Sequence, residues 1–506
     1  MSDPAAVDEK GRGFARELGL LDAVMIVTGS MIGSGIFIVS ANVARHVGGA
    51  GWLVLAWVVS GLLVIAAALS YGELAAMMPR VGGQYVYLKE AYSPLLGFLF
   101  GWTLFLVIQS GTIAAVAVAF ASFLGVLAPG VSSTAWIVPP IDLSPGYAVS
   151  LSVQQLVAIL LIVLLSFVNT YGVRVGKLIQ NSFTWAKTLA LAALIVLGIA
   201  VGGSAPGFSD PWTPRNAITV APDLLPVPPV SAAEGGLPLL IIFCLALTGP
   251  LFSASAWNDV TFAAAEIKNP RRNLPIALGA GVGLVSLLYV LANVAYLRAL
   301  PIEAIQNAPE NRVGTAALEA ILGPAGAGLM AVAIMISTFG CNNGLILAGA
   351  RVYYAMAKDG LFFRSIGRLN RFRVPAVGLV VQCVWASLLV IPRTRLTGED
   401  GAPRYGNVYS NLLEYVVFAV LLFYILTILG VFILRRKRPD AERPYRAFGY
   451  PVVPLFYIVG ALLVVTCLLV YRTETTWPGL AIVLTGIPVY LLWRRLGSGA
   501  DVSGDL

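Results

Sequence analysis

Apolar runs of 18 residues or more recur along almost the whole of this 506-residue chain. A run of that length with few charges is long enough to cross a bilayer as a helix. Inside hydrocarbon every backbone N–H and C=O needs a partner within the protein, which leaves only helices or a closed barrel. The runs are continuous rather than alternating, so a barrel is excluded. Charged residues are only 11% of the chain, against about 25% in soluble domains. Twelve spans can be placed, at roughly 21–45, 51–78, 94–127, 148–170, 180–202, 236–267, 274–300, 326–357, 374–393, 408–435, 450–471 and 477–495. The expected fold class is an all-α polytopic membrane protein with 12 transmembrane helices.

The formal net charge is +8, but the basic residues sit in the connections between spans, where they report topology rather than nucleic-acid binding. With the N-terminus inside, 24 of the 33 Lys and Arg residues fall on the inner side and 8 on the outer, with Lys187 inside a span. That bias predicts both termini cytoplasmic in a multi-pass protein of the cell membrane. Residues 1–20 are polar, so the first span is expected to direct insertion without a separate signal peptide. Cys244, Cys341, Cys383 and Cys467 all lie in apolar runs, and His46 is the single histidine. No pair of cysteines has metal-ligand spacing, and neither metal nor cofactor is expected.

The first span carries an anomaly. Residues 27–40 read VTGSMIGSGIFIVS, with Gly29, Gly33 and Gly35 where a membrane helix should be continuous. Each glycine lowers helix stability by about 1 kcal/mol relative to alanine. One reading is a close-packing face of small residues. The other is a break, tolerated at bilayer depth only where the freed backbone is buried in protein or lines a cavity. The sixth span supports the break, because Thr248, Gly249 and Pro250, then Ser253 to Ala256 in sequence, interrupt its apolar run. Paired broken helices in corresponding positions point to the binding site of an inverted-repeat transporter. The expected organisation is a cytoplasmic segment 1–20, a first repeat 21–202, an external linker 203–235, a second repeat 236–435, two further spans in 436–495 and a cytoplasmic tail 496–506. Segment 79–93 is short and amphipathic and is expected along, or dipping into, the inner surface. A channel would need a pore-lining polar or charged ring, and an enzyme a cluster of acid, base or metal-ligand residues. Neither pattern is present in the sequence.

These motifs resemble the amino acid–polyamine–organocation superfamily, and within it the L-type amino acid transporters. The resemblance rests on GSMIGSGIF (29–37), FSASAWN (252–258), EIKNPRRNLPIAL (266–278), YVLANVAY (289–296), STFGCNNG (337–344) and ARVYYAMAKDG (350–360). It also extends to 71–92 and 442–454, and so covers nearly the whole chain. It implies a leucine-transporter-like five-plus-five inverted repeat that moves free L-amino acids by alternating access, with no enzymatic activity. It implies that the substrate carboxylate meets backbone N–H groups at Ser30, Ile32, Gly33, Ser34 and Gly35, as helix N-termini suit anions. It implies that the ammonium meets carbonyls near Ile26, Phe252 and Ser255, with Trp257 and Asn258 in the same motif and Phe252 capping the pocket from outside.

Two departures from the family pattern bear on specificity. Ser255 and Ala256 stand where Gly-Gly is common, and the added side chains should narrow the pocket towards small and medium neutral substrates. Asp259 follows Asn258, and either faces the inner vestibule, the favoured reading, or touches the ligand. Only in the latter case would a cationic amino acid or polyamine be the cargo.

Lys187 lies in FTWAKTLALAALIVLG (183–198), inside the fifth span. An intramembrane lysine marks a functional site by default; snorkelling to the interface is the plain alternative. The resemblance puts it where sodium-coupled relatives bind a cation, able to bridge to the first break and to Ser337. That implies sodium-independent exchange, with proton symport the rival if the lysine titrates. Tyr289 and Asn343 resemble residues that approach the site from the seventh and eighth spans, or else they merely hold the bundle together. Glu73 and Arg80 are a possible ion pair at the inner face. Animal members join a heavy subunit through a cysteine in the loop between spans three and four. Here that loop, about 128–147, has none, so no disulfide-linked subunit is expected. The partners expected are the amino acid and the lipid bilayer. An amino acid sensor is the alternative outside transport.

Overall fold

The computed structural model describes residues 16–144, 146–201, 211–213, 236–397, 403–406 and 408–498. The first fifteen residues of the expected N-terminal segment, the linker other than 211–213, and the tail beyond 498 lie outside the described residues. In order the helices are α1 (Leu20–Met31), α2 (Gly35–Val47), α3 (Ala50–Met77), α4 (Gln84–Ala91), α5 (Pro94–Leu127), α6 (Val153–Asn169), α7 (Val173–Val201) and α8 (Gly236–Ser253). They continue as α9 (Asp259–Phe262), α10 (Pro270–Ala299), α11 (Ile302–Gln306), α12 (Val313–Leu322), α13 (Pro324–Lys358) and α14 (Ala376–Leu389). The last three are α15 (Val408–Lys437), α16 (Val452–Tyr471) and α17 (Thr473–Ser498). Among the described residues nine helices are long and apolar enough to cross a membrane, or ten when α1 and α2, bent by 42° at their junction, are taken as one span.

Local chemistry sets the ends. Ser93 accepts from the Leu96 N–H at the head of α5, with Pro94 in the first turn, where proline costs no hydrogen bond. Ser152 and Gln155 cap α6 reciprocally, satisfying two orphan N–H groups. Gly48 closes α2 at φ +64°, the left-handed conformation that favours glycine.

The outer faces of the bundle are apolar. Leu160, Val163, Leu164 and Phe167 of α6 are exposed, as are Val452, Leu455, Phe456, Val459 and Leu463 of α16. Polar side chains turn inwards instead: Lys187, Asp259, Glu266, Asn293, Ser337 and Asn343 are buried. That inversion fits a chain whose solvent is lipid.

Two features depart from the sequence reading, and one, α4, decides between two placements it left open. First, the protein is mostly rather than wholly helical. Four strands, β1 (Trp136–Ser144), β2 (Tyr147–Ser152), β3 (Pro392–Thr397) and β4 (Pro403–Tyr405), form one antiparallel sheet in that order. It ties the α5–α6 connection to the α14–α15 connection. Second, α4 is no surface strip: Gln84, Tyr85, Tyr87 and Leu88 are fully buried. The segment dips into the bundle, and Gln84 reaches Asn258 and Thr427. Third, Glu73 pairs with Arg435 at 2.6 Å and Arg443 at 3.3 Å, and not with Arg80. The nearby backbone N–H of Ala447 also donates to Glu73, so this carboxylate gathers three donors from the α15–α16 side.

Candidate functional site

The first break is three residues wide. Helix α1 stops at Met31, and α2 starts at Gly35. Between them the Ile32 N–H returns to the Thr28 carbonyl and the Gly33 N–H to that of Met31. The carbonyls of the last turn of α1 and of the break find their partners on other helices. The Lys187 Nζ donates to the Gly29 carbonyl and, at 2.8 Å, to that of Ile32. Ser337 Oγ donates to Ile32 and Gly33 at 3.0 and 3.3 Å. The Cys341 thiol donates to Ser30 at 3.2 Å, and the Tyr289 hydroxyl to Met31 at 2.7 Å. Five consecutive carbonyls, 29 to 33, are thus held by α7, α10 and α13. This is how irregular backbone survives where no water is available. At the head of α2 the Phe37 N–H donates to the Ser34 carbonyl at 3.1 Å, and the N–H groups that open a helix precede its i→i−4 ladder.

The small residues serve packing as well as the break. A Cβ added to Gly35 would strike the Ser253 side chain and come within 2.9 Å of its Cα. One added to Gly29 would run into Gln180 and Thr184. Both readings of the glycine cluster are therefore realised in one place.

The second break occupies the later part of the interruption read from the sequence, residues 254–258, and leaves Thr248 to Pro250 in the helix. Pro250 is helical, because it sits in the first turn after a slight irregularity at Leu247, where no donor is required. The chain leaves the helix only at Ala254 and resumes at Asp259. There Ala256 adopts φ +64°, which costs a residue with a Cβ about 1–2 kcal/mol. Glycine would relieve that strain but enlarge the unfolded ensemble, worth about 0.4–1 kcal/mol in the other direction. Ala256→Gly is therefore expected to stabilise the protein by up to about 1 kcal/mol. Its thermal unfolding midpoint in detergent should rise, and a clear fall would count against the strain.

Tyr289 joins the two breaks, since its hydroxyl reaches both Met31 and, at 3.2 Å, the Ser253 carbonyl. Ser34 Oγ donates to the Tyr409 hydroxyl at 3.2 Å, and Phe252 meets the Tyr409 ring edge-on at 6.0 Å. Ser255 lines small cavities on two sides, and Ile26 lines a third beside Asp259 and Arg351. Trp257 is fully buried between Tyr71 and Tyr424. The Asn258 amide donates to Gln84 at 2.9 Å and accepts from Tyr424 at 2.7 Å, which fixes the second break to α4 and α15. Asn343 is more remote, bonded to Asn169 of α6 at 2.9 Å.

One end of the bundle is tied by an ion pair and a main-chain bridge. Arg351 grips Glu266 through two bonds of 2.6 and 3.1 Å, both side chains being buried. Leu18 exchanges main-chain bonds with Glu266 and Lys268 in a short parallel bridge.

The sequence reading brought Lys187, Ser337, Tyr289 and the first break together, and the structure places them within hydrogen-bonding distance. It missed Cys341, Gln84, Gln109, Tyr409 and Tyr424. A lone amide in an apolar run, as Gln109 is in LFLVIQSGT, was the available signal.

Two discontinuous helices, their carbonyls held by neighbours and their breaks joined at the centre of an apolar bundle, define a membrane transporter rather than an enzyme. The amino acid permease family profile matches residues 18–492, and the chain belongs to that family. It is similar to the large neutral amino acids transporter small subunit 2 of Oryctolagus cuniculus, 31% identical over 95% of this chain and 81% of the relative. The serine/threonine exchanger SteT of Bacillus subtilis (strain 168) is 28% identical over 94% of this chain and 97% of its own. The b(0,+)-type amino acid transporter 1 of Mus musculus is 28% identical over 96% and 89%. The protein is thus an amino acid permease built as a multi-pass membrane bundle.

Proposed function

We propose that this chain exchanges small and medium neutral L-amino acids across the cell membrane, independently of sodium and by alternating access. Twelve crossings follow if α6 and α14, two of the three shorter apolar helices among the described residues, join the ten longer ones. A five-plus-five inverted repeat is supported by breaks in the first and sixth of them. The basic bias of the connections supports both termini inside. In this reading Ser34, Gly35 and their neighbours take the substrate carboxylate at the head of α2, carbonyls near Phe252 and Ser255 take the ammonium, and Phe252 with Tyr409 closes the outer side. Trp257 and Asn258 shape the second break, and Asn343 stiffens the α6–α13 contact. No loop cysteine is available for a heavy subunit, so the chain works without a disulfide-linked partner.

The observation that carries this reading is Lys187. Its ammonium supplies a fixed positive charge to the carbonyls of the first break, the role a dissociable cation would otherwise fill. The test is uptake of a labelled amino acid panel into proteoliposomes that hold only this chain. Uptake should require internal amino acid and ignore sodium, potassium and pH gradients. Uptake into empty vesicles driven by an inward proton gradient would overturn exchange in favour of symport.

Tyr289→Phe removes the one hydroxyl that spans both breaks and leaves buried acceptors short of a donor, at about 1–3 kcal/mol. Counterflow should fall roughly 10- to 100-fold with the protein still monodisperse. A rate equal to that of the unmodified protein would remove Tyr289 from the mechanism.

A further inference from the structure

The connection between α13 and α14 carries Arg364, Arg368, Arg371 and Arg373, and no acidic residue follows Asp359 until Glu399. Asp359 itself is taken by Lys89 at 2.6 Å and by the Tyr85 hydroxyl. All four arginines are exposed, and none forms an ion pair among the described residues. The basic cluster at 435–446 differs, because it is neutralised from within. Arg435 and Arg443 hold Glu73, and Arg438 holds Glu90, the neighbour of Lys89, at 2.5 Å. At one end of the bundle, then, one cluster has its carboxylates and the other is left with its charge.

The charged connection is held in shape. Asn370 Oδ1 accepts from the Phe372 and Val374 N–H groups, and the Asn370 amide donates to the Thr170 carbonyl just after α6. Arg373 has φ +60°, a strained backbone for a residue with a Cβ, which persists only where the surroundings impose it. Phe372 lies against Tyr171 at 5.7 Å, and Phe363 meets Trp493 of α17 edge-on at 5.1 Å. The Arg371 guanidinium sits over the Phe372 ring at 4.7 Å. Phe363 and Phe372 remain exposed, as aromatics at a membrane interface are.

Next to the arginines the surface turns apolar. Val377, Val380, Val384 and Leu388 of α14 are exposed, at the three- and four-residue spacing that keeps side chains on one face. Helix α6 packs beside α14, and its Leu160, Val163, Leu164 and Phe167 are exposed as well.

We infer that this connection and the faces of α14 and α6 beside it bind an anionic phospholipid. The arginines take the headgroup phosphate, whose geometry suits the guanidinium fork, and the two helices take the acyl chains. Basic pockets beside membrane helices hold such headgroups. A free phosphate would answer the arginines but leave the apolar faces without a role, and a zwitterionic lipid brings no net charge to offset theirs. The inference is independent of the exchange reading.

The experiment titrates short-chain phosphatidylglycerol and phosphatidylcholine into the full chain in neutral detergent and counts bound lipid by native mass spectrometry. Phosphatidylglycerol should bind at least about tenfold more tightly. The double variant Arg371→Gln, Arg373→Gln should weaken it roughly 10- to 30-fold. The double variant Arg436→Gln, Arg446→Gln loses the same charge and should keep the preference. All four substituted side chains are exposed, so both variants should remain monodisperse. Equal binding of the two lipids by the unmodified chain overturns the inference. An equal loss in both double variants overturns it too, since net charge and not this site would then be at work. Displacement of phosphatidylglycerol by millimolar inorganic phosphate would assign the arginines to a soluble anion and overturn the lipid.

Discussion

Replacing Lys187 by alanine is expected to cut amino acid counterflow roughly 10- to 100-fold or more while the protein still expresses and stays monodisperse. The ammonium donates to the carbonyls of Gly29 and Ile32. Hydrogen bonds to a charged group contribute about 1.5–3 kcal/mol each, and each 1.4 kcal/mol is about a factor of ten. Ser337 still serves Ile32 in the variant, so the main deficit falls on Gly29. The loss concerns the geometry of the break more than global stability, because removing the lysine also removes the cost of burying its charge. Lys187→Arg is expected to rescue little, since Phe183 and Thr184 on the same helix pack against Gly340 and Gly29 and leave no slack for a planar fork. Measured per milligram of folded protein, uptake kinetics that match the unmodified chain would rule out the role assigned to Lys187.

The largest loss of stability is expected from Arg351→Met. It leaves the Glu266 carboxylate, 2% exposed, without the two bonds that now neutralise it. Removing one partner of a buried pair costs about 3–5 kcal/mol, whereas replacing both by apolar groups is often close to neutral. The double variant Arg351→Met, Glu266→Leu should therefore recover much of the loss. Thermal unfolding of the two single variants and the double in detergent measures the coupling between them. A single variant as stable as the unmodified protein would mean that the pair does not stabilise this end of the bundle.

The first break was legible because three glycines within seven residues are dear in any helix, and because polar residues elsewhere implied partners for its backbone. The second was legible at Ala254 to Ala256 but drawn too wide. Pro250 looks like a helix breaker, yet a proline in a first turn breaks nothing, and alanine at position 256 gives no sign of a left-handed backbone. The sheet escaped notice because its strands come from connections some 240 positions apart, such as Ala148 and Arg393. For Glu73 the sequence offered only Arg80, a near neighbour, as a candidate partner, but its partners come from 362 and 370 positions away. Periodicity and composition carry information about spans and their ends. Partners across the bundle depend on how the helices pack, which one sequence encodes only collectively.

The short bridge between Leu18 and the 266–268 segment has a mechanical meaning. It fastens the lead-in of the first helix to the chain just beyond the second break through two main-chain bonds of 3.0 and 2.8 Å. These bonds belong to the peptide units, so exchange of side chains leaves them in place. The two half-helices at this end are thereby yoked, like the leaves of a door on a common bar. Either they swing together as one body, or the bar must first be unlatched. The second course makes unlatching of this stretch of backbone an early event in any opening of this end.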